Sequence, residues 1–384
     1  MPRWKRETEL VMGRGVNSHP GFGRELPVDK MLLAIVLGIT LFGAVMVYSA
    51  SAILAEKNYG SQFYFLSRQA LWALAGLVAM AVGISIDYRH YKRPVVIYSV
   101  LIVTLGLLIA VLFLPRVNET HRWIRYGPFS LQPSEPAKLA LIAFLGFFLE
   151  KQVREIDSFK RTFVRAGVVG GVLITLVGAE PDLGTAIALG LVFVTMMFQA
   201  GTPVRYFAAL AVPVVPAITF MLLKPWRFAR LLAFLDPWKY QTTYGFQPVQ
   251  SMIAIGSGGP GGVGFAQGRQ KLFYLPAPHT DFIFAVIGEE LGLIGAMTLV
   301  LLFGLLAWRG YRAARFAPDV FGQLLAVGLT TMIIAQAFFN ISVTLSLVPT
   351  KGIPLPFVSA GGSSLAISLF AAGVLLNVSK HGKA

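Results

Sequence analysis

The chain has 384 residues, of which 55% are hydrophobic and only 13% charged, against about 25% charged in soluble domains. This deficit excludes an ordinary soluble fold, and the absence of cysteine excludes disulfides, thiolate nucleophiles and zinc–thiolate sites. The net charge of +15 comes from basic residues scattered between apolar runs, a pattern typical of membrane topology and headgroup contact rather than of nucleic-acid binding.

The apolar runs predict an all-α integral membrane protein with about ten transmembrane helices across a bilayer core of roughly 30 Å. The fourth and fifth runs are short, and we expect them to be tilted or partly re-entrant. A polar, basic tail at 1–30 is too long for a cleavable signal, so the first span is expected to stay as an anchor. The membrane domain covers 31–379, and a short tail follows at 380–384. The predicted spans are 31–54, 69–86, 95–115, 136–150, 166–179, 183–200, 203–223, 282–308, 320–347 and 362–379.

The distribution of lysine and arginine predicts that both termini are cytoplasmic, because most of these residues then fall on the inner side. The inner loops are short and basic and contain no unusual motif. The unusual sequence falls outside: residues 116–138, the turn at 180–182, a large extracytoplasmic loop at 224–281 between spans seven and eight, and residues 348–364.

The start of span four combines helix-start residues with a buried cation. Glu135 favours the positive end of a helix, but Lys138 lies one turn inside an apolar helix. The two residues are three apart and therefore share one face, and charges inside a membrane usually face a cavity and a partner. Just upstream, Trp123 has an alternative reading as an interfacial aromatic. Asp182 is read as the N-cap of span six, and it could also line an outer vestibule.

Span eight begins with His279, Thr280 and Asp281 and carries Glu289 and Glu290 about 12 Å deeper. Taken alone, Thr280 or Asp281 is read as a helix cap. The two deeper carboxylates indicate a hydrated pocket instead, with Asp281 at its mouth as a proton acceptor.

The long outer segment is basic, which predicts an anionic partner. It also contains a glycine-rich stretch at 256–261 that formally matches a dinucleotide-binding motif, but the stretch lacks a preceding strand and contains a proline. A hinge, or a close backbone approach to a ligand, is the prediction. The irregular, proline-rich loop at 349–364 predicts a further cavity on the outer side.

Together these stretches resemble the SEDS (FtsW/RodA/SpoVE) family of peptidoglycan polymerases over nearly the whole chain. The motifs are RWIRYGPFSLQPSEPAK at 122–138, PDLGTA at 181–186, QSMIAIGSGG at 250–259, YLPAPHTDFIFAVIGEELG at 274–292, and PTKG with GGSS between 349 and 364. Two departures are Ala360, where family members usually carry tyrosine, and Pro278.

The resemblance implies a peptidoglycan glycosyltransferase that polymerises lipid II on the outer face of the bacterial cytoplasmic membrane and releases undecaprenyl diphosphate. Asp281 falls on the family's essential aspartate and would act as general base. The expected contacts to the substrate and its diphosphate are Arg122, Trp123, Arg125, Glu135, Lys138, Arg227, Arg269, Lys351 and Ser363. The residues expected to shape the cavity are Asp182, Gln250, Ser251, His279, Thr280, Glu289 and Glu290.

The resemblance also implies a divalent cation, Mg²⁺ or Mn²⁺, and no organic cofactor. The 349–352 stretch and the long N-terminal tail favour the division-type branch at the septum, with an FtsI-type class B penicillin-binding protein and divisome proteins as partners. The alternatives are the elongation-type polymerase, a lipid II flippase, and a scaffold that recruits the transpeptidase. A flippase predicts anion-handling groups on both faces, whereas here they gather on one.

Overall fold

The computed structural model describes residues 27–115, 122–126, 129–222, 224–272 and 274–382. The predicted tail at 1–30 therefore lies mostly outside the described residues. Within these ranges the chain forms twelve α-helices and one antiparallel hairpin. The elements are α1 (Lys30–Tyr59), α2 (Tyr64–Ser85), α3 (Pro94–Phe113), β1 (Ile124–Tyr126), β2 (Phe129–Leu131), α4 (Ser134–Lys151), α5 (Arg165–Ala179), α6 (Leu183–Gln199), α7 (Val204–Leu222), α8 (Pro225–Leu235), α9 (Phe246–Gly258), α10 (Ile283–Phe316), α11 (Val320–Thr344) and α12 (Ser363–Lys380).

The all-helical membrane architecture is confirmed, and a helix occupies each of the ten predicted spans. Seven helical segments in the described ranges are long and apolar enough to cross a membrane: α1, α2, α3, α10, α11, α12, and α5 together with the turn before it. Helix α6 and the first part of α7 are apolar but shorter. Helix α4 has 18 residues and carries charged groups near both ends. Seven of the predicted crossings are thus supported by helix length and composition. The other three remain predictions.

Helices α11 and α12 form the centre of the bundle, and α2 and α3 face outward. Most of the apolar stretch of α11 and α12 is buried, whereas most of that of α2 and α3 is exposed. Helix α12 lies directly against α2, where Gly373 and Gly83 leave no room for a side chain: a Cβ on Gly83 would lie 3.0 Å from the backbone nitrogen of Val374. Small residues allow this close approach of two helices inside a membrane.

The predicted loop at 224–281 is partly helical, because it contains α8 and α9, and its glycine-rich part fills a break in α10. The break is at Gly292, which has φ 65° and ψ −162°. A helix break leaves backbone groups that need partners at membrane depth. Residues 259–264 supply them through four bonds: Val263 N–H to Glu289 O at 3.0 Å, Gly264 N–H to Glu290 O at 3.1 Å, Leu293 N–H to Gly259 O at 2.9 Å, and Ile294 N–H to Pro260 O at 3.1 Å.

The close backbone approach predicted for the 256–261 glycines therefore exists, but it is made to the protein's own helix rather than to a ligand. Gly258 packs against the carbonyl of Gly288, and Gly262 packs against the carbonyl of Glu290. A side chain at either position would push the segment out of the break.

Candidate active site

Asp281 lies two residues before α10 and is half-buried. Its backbone carbonyl accepts a 2.8 Å hydrogen bond from Nδ2 of Asn340, which also donates to the carbonyl of Ile353 at 2.8 Å. Its carboxylate lies against Gly352, where an added Cβ would be 2.8 Å from Oδ2. The N-cap of α10 is Phe282, with no side-chain cap bond. The helix-cap reading of Thr280 and Asp281 is therefore wrong.

The 349–364 loop is fastened to the segment that carries Asp281. Ser359 donates through Oγ to the carbonyl of Thr280 at 2.6 Å, and the N–H of Ala360 donates to the carbonyl of His279 at 2.9 Å. The second bond uses only backbone atoms, so alanine at 360 preserves it. Burial lowers the pKa of His279 to about 4, and its ring packs 4.3 Å from that of Phe65. His279 is therefore neutral near pH 7.

Arg122 and Asp182 meet at the turn between α5 and α6. Arg122 donates through Nε to the carbonyl of Glu180 at 3.0 Å and through Nη2 to the carbonyl of Pro181. Asp182 is the N-cap of α6, as predicted: it accepts from the backbone N–H of Thr185 at 3.2 Å and from its hydroxyl at 2.9 Å. Nε2 of Gln132 donates to the same carboxylate at 2.9 Å.

The charged groups around Asp281 influence one another's pKa values. Burial raises the pKa of Asp281 to about 6, while the charge of Arg122 lowers it and the charge of Asp182 raises it. Burial lowers the pKa of Lys351 to about 8, Asp182 opposes this shift, and Arg227 adds to it. Burial and then the charge of Arg122 lower the pKa of Arg227. We call this group the Asp281 cluster: Arg122, Glu180, Asp182, Arg227, Asp281 and Lys351.

Glu135 and Lys138 form an ion pair of 2.9 Å on one face of α4, and their side chains are only 2% and 1% exposed. The shared face is confirmed, but each charge is already balanced by the other. Ser363 is buried and accepts the N–H of Gln132 at 3.3 Å, which fastens the start of α12 to the hairpin side. Trp123 is half-buried beside β1. The substrate contacts of these residues stay predictions.

Glu289 and Glu290 are 2% and 1% exposed and are bonded to protein, so the hydrated pocket expected around them is not seen in the described ranges. Glu289 accepts the backbone N–H groups of Arg269 and Gln270 at 2.7 and 3.2 Å. Glu290 accepts from Lys271 Nζ at 2.6 Å, from Ser49 Oγ at 2.6 Å and from the N–H of Ala266 at 3.0 Å. The two carboxylates hold the 266–271 segment on α10.

The remaining predicted residues lie apart from the cluster in their described contacts. Arg269 is exposed, and its backbone is bound to Glu289. Arg125 is exposed on the hairpin. Ser251 donates to the carbonyl of Thr344 at 2.6 Å and fastens α9 to α11, while Gln250 beside it is half-buried.

The sequence reasoning missed four residues that shape the site: Asn340, Gly352, Ser359 and Glu180. Asn340 had a usable signal, because an amide inside an apolar span must find hydrogen-bond partners. Gly352 and Ser359 had none, because their contacts are to residues about 70 to 80 positions away in the chain.

No group of three or more histidine, aspartate or glutamate side chains suited to a metal ion occurs within the described part of the chain. The residues present therefore do not fit a metal site built by the protein alone. A magnesium ion in a phosphate-handling site is typically held by one or two carboxylates together with the substrate's phosphates.

Comparison with known proteins agrees with this arrangement. The sequence model of the family described as "Cell cycle protein" (FTSW_RODA_SPOVE) matches residues 29–384. A Geobacter metallireducens protein named probable peptidoglycan glycosyltransferase FtsW is 43% identical over 92% of this chain and 95% of its own length. Stage V sporulation protein E of Bacillus subtilis is 42% identical over 92% of this chain and 98% of its own.

Solved structures are similar as well. A chain from a peptidoglycan synthase complex, described by its coordination of polymerization and crosslinking, has a TM-score of 0.77 at 28% identity, covering 92% of this chain and 98% of its own. The rod shape determining protein RodA of Thermus thermophilus has a TM-score of 0.67 at 26% identity, covering 92% and 97%.

The fold and the cluster define a multi-pass membrane protein that gathers its polar chemistry at one end of a helical bundle. With a family match over nearly all of its length, the chain belongs to the FtsW/RodA/SpoVE family, which is the SEDS family that its motifs resemble.

Proposed function

We propose that this chain is a peptidoglycan glycosyltransferase that polymerises lipid II into glycan strands on the outer face of the cytoplasmic membrane. The names of its relatives support the reaction class. The observation that carries the proposal is the state of Asp281. Its carboxylate is half-buried beside the charge of Arg122, is not used to cap α10, and has a pKa raised to about 6 by burial.

Asp281 is suited to act as the general base. A pKa near 6 leaves the carboxylate mostly ionised near pH 7 and more basic than an ordinary aspartate. It takes the proton from the 4-hydroxyl of the acceptor sugar while that oxygen attacks the anomeric carbon of the donor. The bond from the anomeric carbon to the diphosphate breaks, and undecaprenyl diphosphate leaves with the electron pair. One carboxylate and a good leaving group suit inversion, because no enzyme nucleophile is required.

The cluster carries the positive charge that a lipid diphosphate requires. Arg122, Arg227 and Lys351 supply three cations, and Lys351 remains mostly protonated near pH 7 with a pKa of about 8. Guanidinium groups suit phosphate oxygens because they donate in a planar fork. Further proposed contacts to the substrate are Lys138, Arg125, Arg269, Trp123 and Ser363.

We propose that a divalent cation, Mg²⁺ or Mn²⁺, enters the site bound to the diphosphate of the substrate. When bound it would offset the negative charge of the diphosphate. The described residues form no ligand cluster for it, so no step of the mechanism depends on it.

The relatives named FtsW support a role in septal synthesis, and the similar chain from a peptidoglycan synthase complex supports a transpeptidase partner. We propose a class B penicillin-binding protein of the FtsI type, together with divisome proteins. The placement of both termini in the cytoplasm rests on the distribution of basic residues.

The test is polymerisation of lipid II by the purified protein with its transpeptidase partner, beside Asp281→Asn. The wild-type protein should produce glycan strands, and the variant should produce none while still folding and binding lipid II. Strand synthesis by the variant at the wild-type rate would remove Asp281 as base. Movement of labelled lipid II across vesicles without strand synthesis would instead favour the flippase.

A further inference from the structure

The mechanism gives no role to two members of the Asp281 cluster, Asp182 and Glu180, and Glu180 is the more unusual of the two. It follows α5 directly, its residue surface is fully buried, and neither oxygen of its carboxyl group has a hydrogen-bond partner in the described part of the chain. An ionised carboxylate buried without hydrogen bonds is very costly. The geometry therefore favours a proton on Glu180.

Asp182, two residues further on, receives the donors that Glu180 lacks. The side chains of Gln132 and Thr185 and the backbone N–H of Thr185 all point to its carboxylate. Hydrogen bonds to the charged form stabilise it. When two neighbouring acids have such different surroundings, one holds the charge and the other holds the proton. Here the proton belongs on Glu180, whose carboxyl oxygens have no donor among the described residues.

Among the described residues, the hydrogen bonds that fasten Arg122 to this turn go to neutral groups. Its guanidinium donates to the carbonyls of Glu180 and Pro181, which orient it without cancelling its charge. An ionised Glu180 carboxylate would compete for the same guanidinium, because a charge-assisted pair is about twice as strong as a neutral hydrogen bond. The protonation of Glu180 thus decides how much of the positive charge of Arg122 is left for a bound anion.

We propose that Glu180 is a positioning residue which holds a proton at neutral pH and so leaves the charge of Arg122 to the diphosphate of the lipid-linked substrate. When the proton is lost, Glu180 pairs with Arg122 and substrate binding weakens. This inference rests on the proposed function of the Asp281 cluster.

The surroundings of Glu180 agree with this assignment. The pKa of Glu180 is raised to about 8, because burial and the charge of Asp182 raise it by more than the charge of Arg122 lowers it. The pKa of Lys351 is lowered to about 8, because burial and the charge of Arg227 lower it by more than the charge of Asp182 raises it. Both groups therefore titrate in the same range, and both changes weaken anion binding as the pH rises: Lys351 loses its own charge, and ionised Glu180 pairs with Arg122. An experiment must separate them.

The first measurement is the dissociation constant for lipid II in detergent micelles from about pH 6.5 to about pH 9. Lys351→Arg keeps a cation at 351 throughout this range, so any weakening that remains in this variant comes from another group. We expect the dissociation constant of Lys351→Arg to rise about fivefold over the range. The double variant Glu180→Gln/Lys351→Arg should stay within about twofold, since the amide is close in shape to the protonated acid and does not ionise. An equal rise in both variants would overturn the proposal.

The second measurement does not depend on substrate. Infrared difference spectroscopy of the wild-type protein should show a protonated carboxyl band at neutral pH that disappears with a midpoint near pH 8 and is missing from Glu180→Gln. A carboxyl band that is the same in both proteins would overturn the proposal even if Glu180→Gln bound lipid II poorly for structural reasons. If the wild-type protein neither bound nor polymerised lipid II, the proposed function would fail, and the infrared band would still decide whether Glu180 holds a proton.

Discussion

Replacing Gly352 by alanine should displace the Asp281 carboxylate without unfolding the protein. The new Cβ would lie 2.8 Å from Oδ2 of Asp281, so the carboxylate must move by about 0.7 Å to reach an ordinary contact distance of about 3.5 Å. A misplacement of about 1 Å can lower a rate about 100-fold, and a shift of about 0.7 Å predicts a fall in kcat of about 20-fold. KM should change little, because the cations of the cluster keep their places.

The stability of the variant should be close to that of the wild-type protein. Gly352 is exposed and its φ lies outside the left-handed region, and the atom that must move is the tip of a side chain. Gly256→Ala is the matched control, because nothing lies within 4 Å of its added Cβ. The assay is steady-state polymerisation of lipid II, with thermal unfolding in detergent as the check on folding. Wild-type kcat in a folded Gly352→Ala protein would refute the positioning argument.

Three further predictions concern the ionisation of Asp281, the Lys271–Glu290 ion pair and the hydrogen bonds of Asn340. Activity requires ionised Asp281, so kcat/KM should fall about tenfold per pH unit below the pKa of about 6, and a rate that stays level down to about pH 4.5 would contradict this. Lys271→Met leaves Glu290 charged and buried, and should lower the free energy of unfolding by about 3–5 kcal/mol, measured by unfolding in detergent; removing both charges should restore part of the loss. Asn340→Leu breaks two bonds of 2.8 Å and should lower both the melting temperature and kcat; loss of stability alone would place Asn340 outside the positioning of Asp281.

The apolar runs are sufficient to predict the helices of the ten spans, because in a membrane each span must satisfy its own backbone hydrogen bonds. They do not predict α8 and α9, which lie in the predicted outer loop. The (i, i+3) pairing of Glu135 with Lys138 and the N-cap at Asp182 were also predictable, since both depend on neighbours within one helical turn. The helix cap predicted at Thr280 or Asp281 is the local prediction that is wrong, because α10 begins at Ile283 with no side-chain cap.

Tertiary contacts decided the rest. Glycines 256–261 indicated a close approach, but only the fold reveals that the partner is the break in α10 at Gly292. The sequence predicts a pocket at Glu289 and Glu290 because their charges need partners, but those partners are backbone groups of 266–271 and the side chains of Ser49 and Lys271. For Glu180 the sequence predicts only a turn, since its burial and its missing donors depend on how that turn packs.

The most direct test of the account is a single-turnover measurement of glycosyl transfer with saturating lipid II, comparing wild type with Asp281→Asn. Asparagine keeps the size of the side chain but cannot accept the proton. The rate constant of glycosyl transfer should therefore fall about 100-fold or more, while the dissociation constant for lipid II changes little. Transfer at the wild-type rate, or loss of lipid II binding with the chemical step intact, would contradict the role of Asp281 as the proton acceptor.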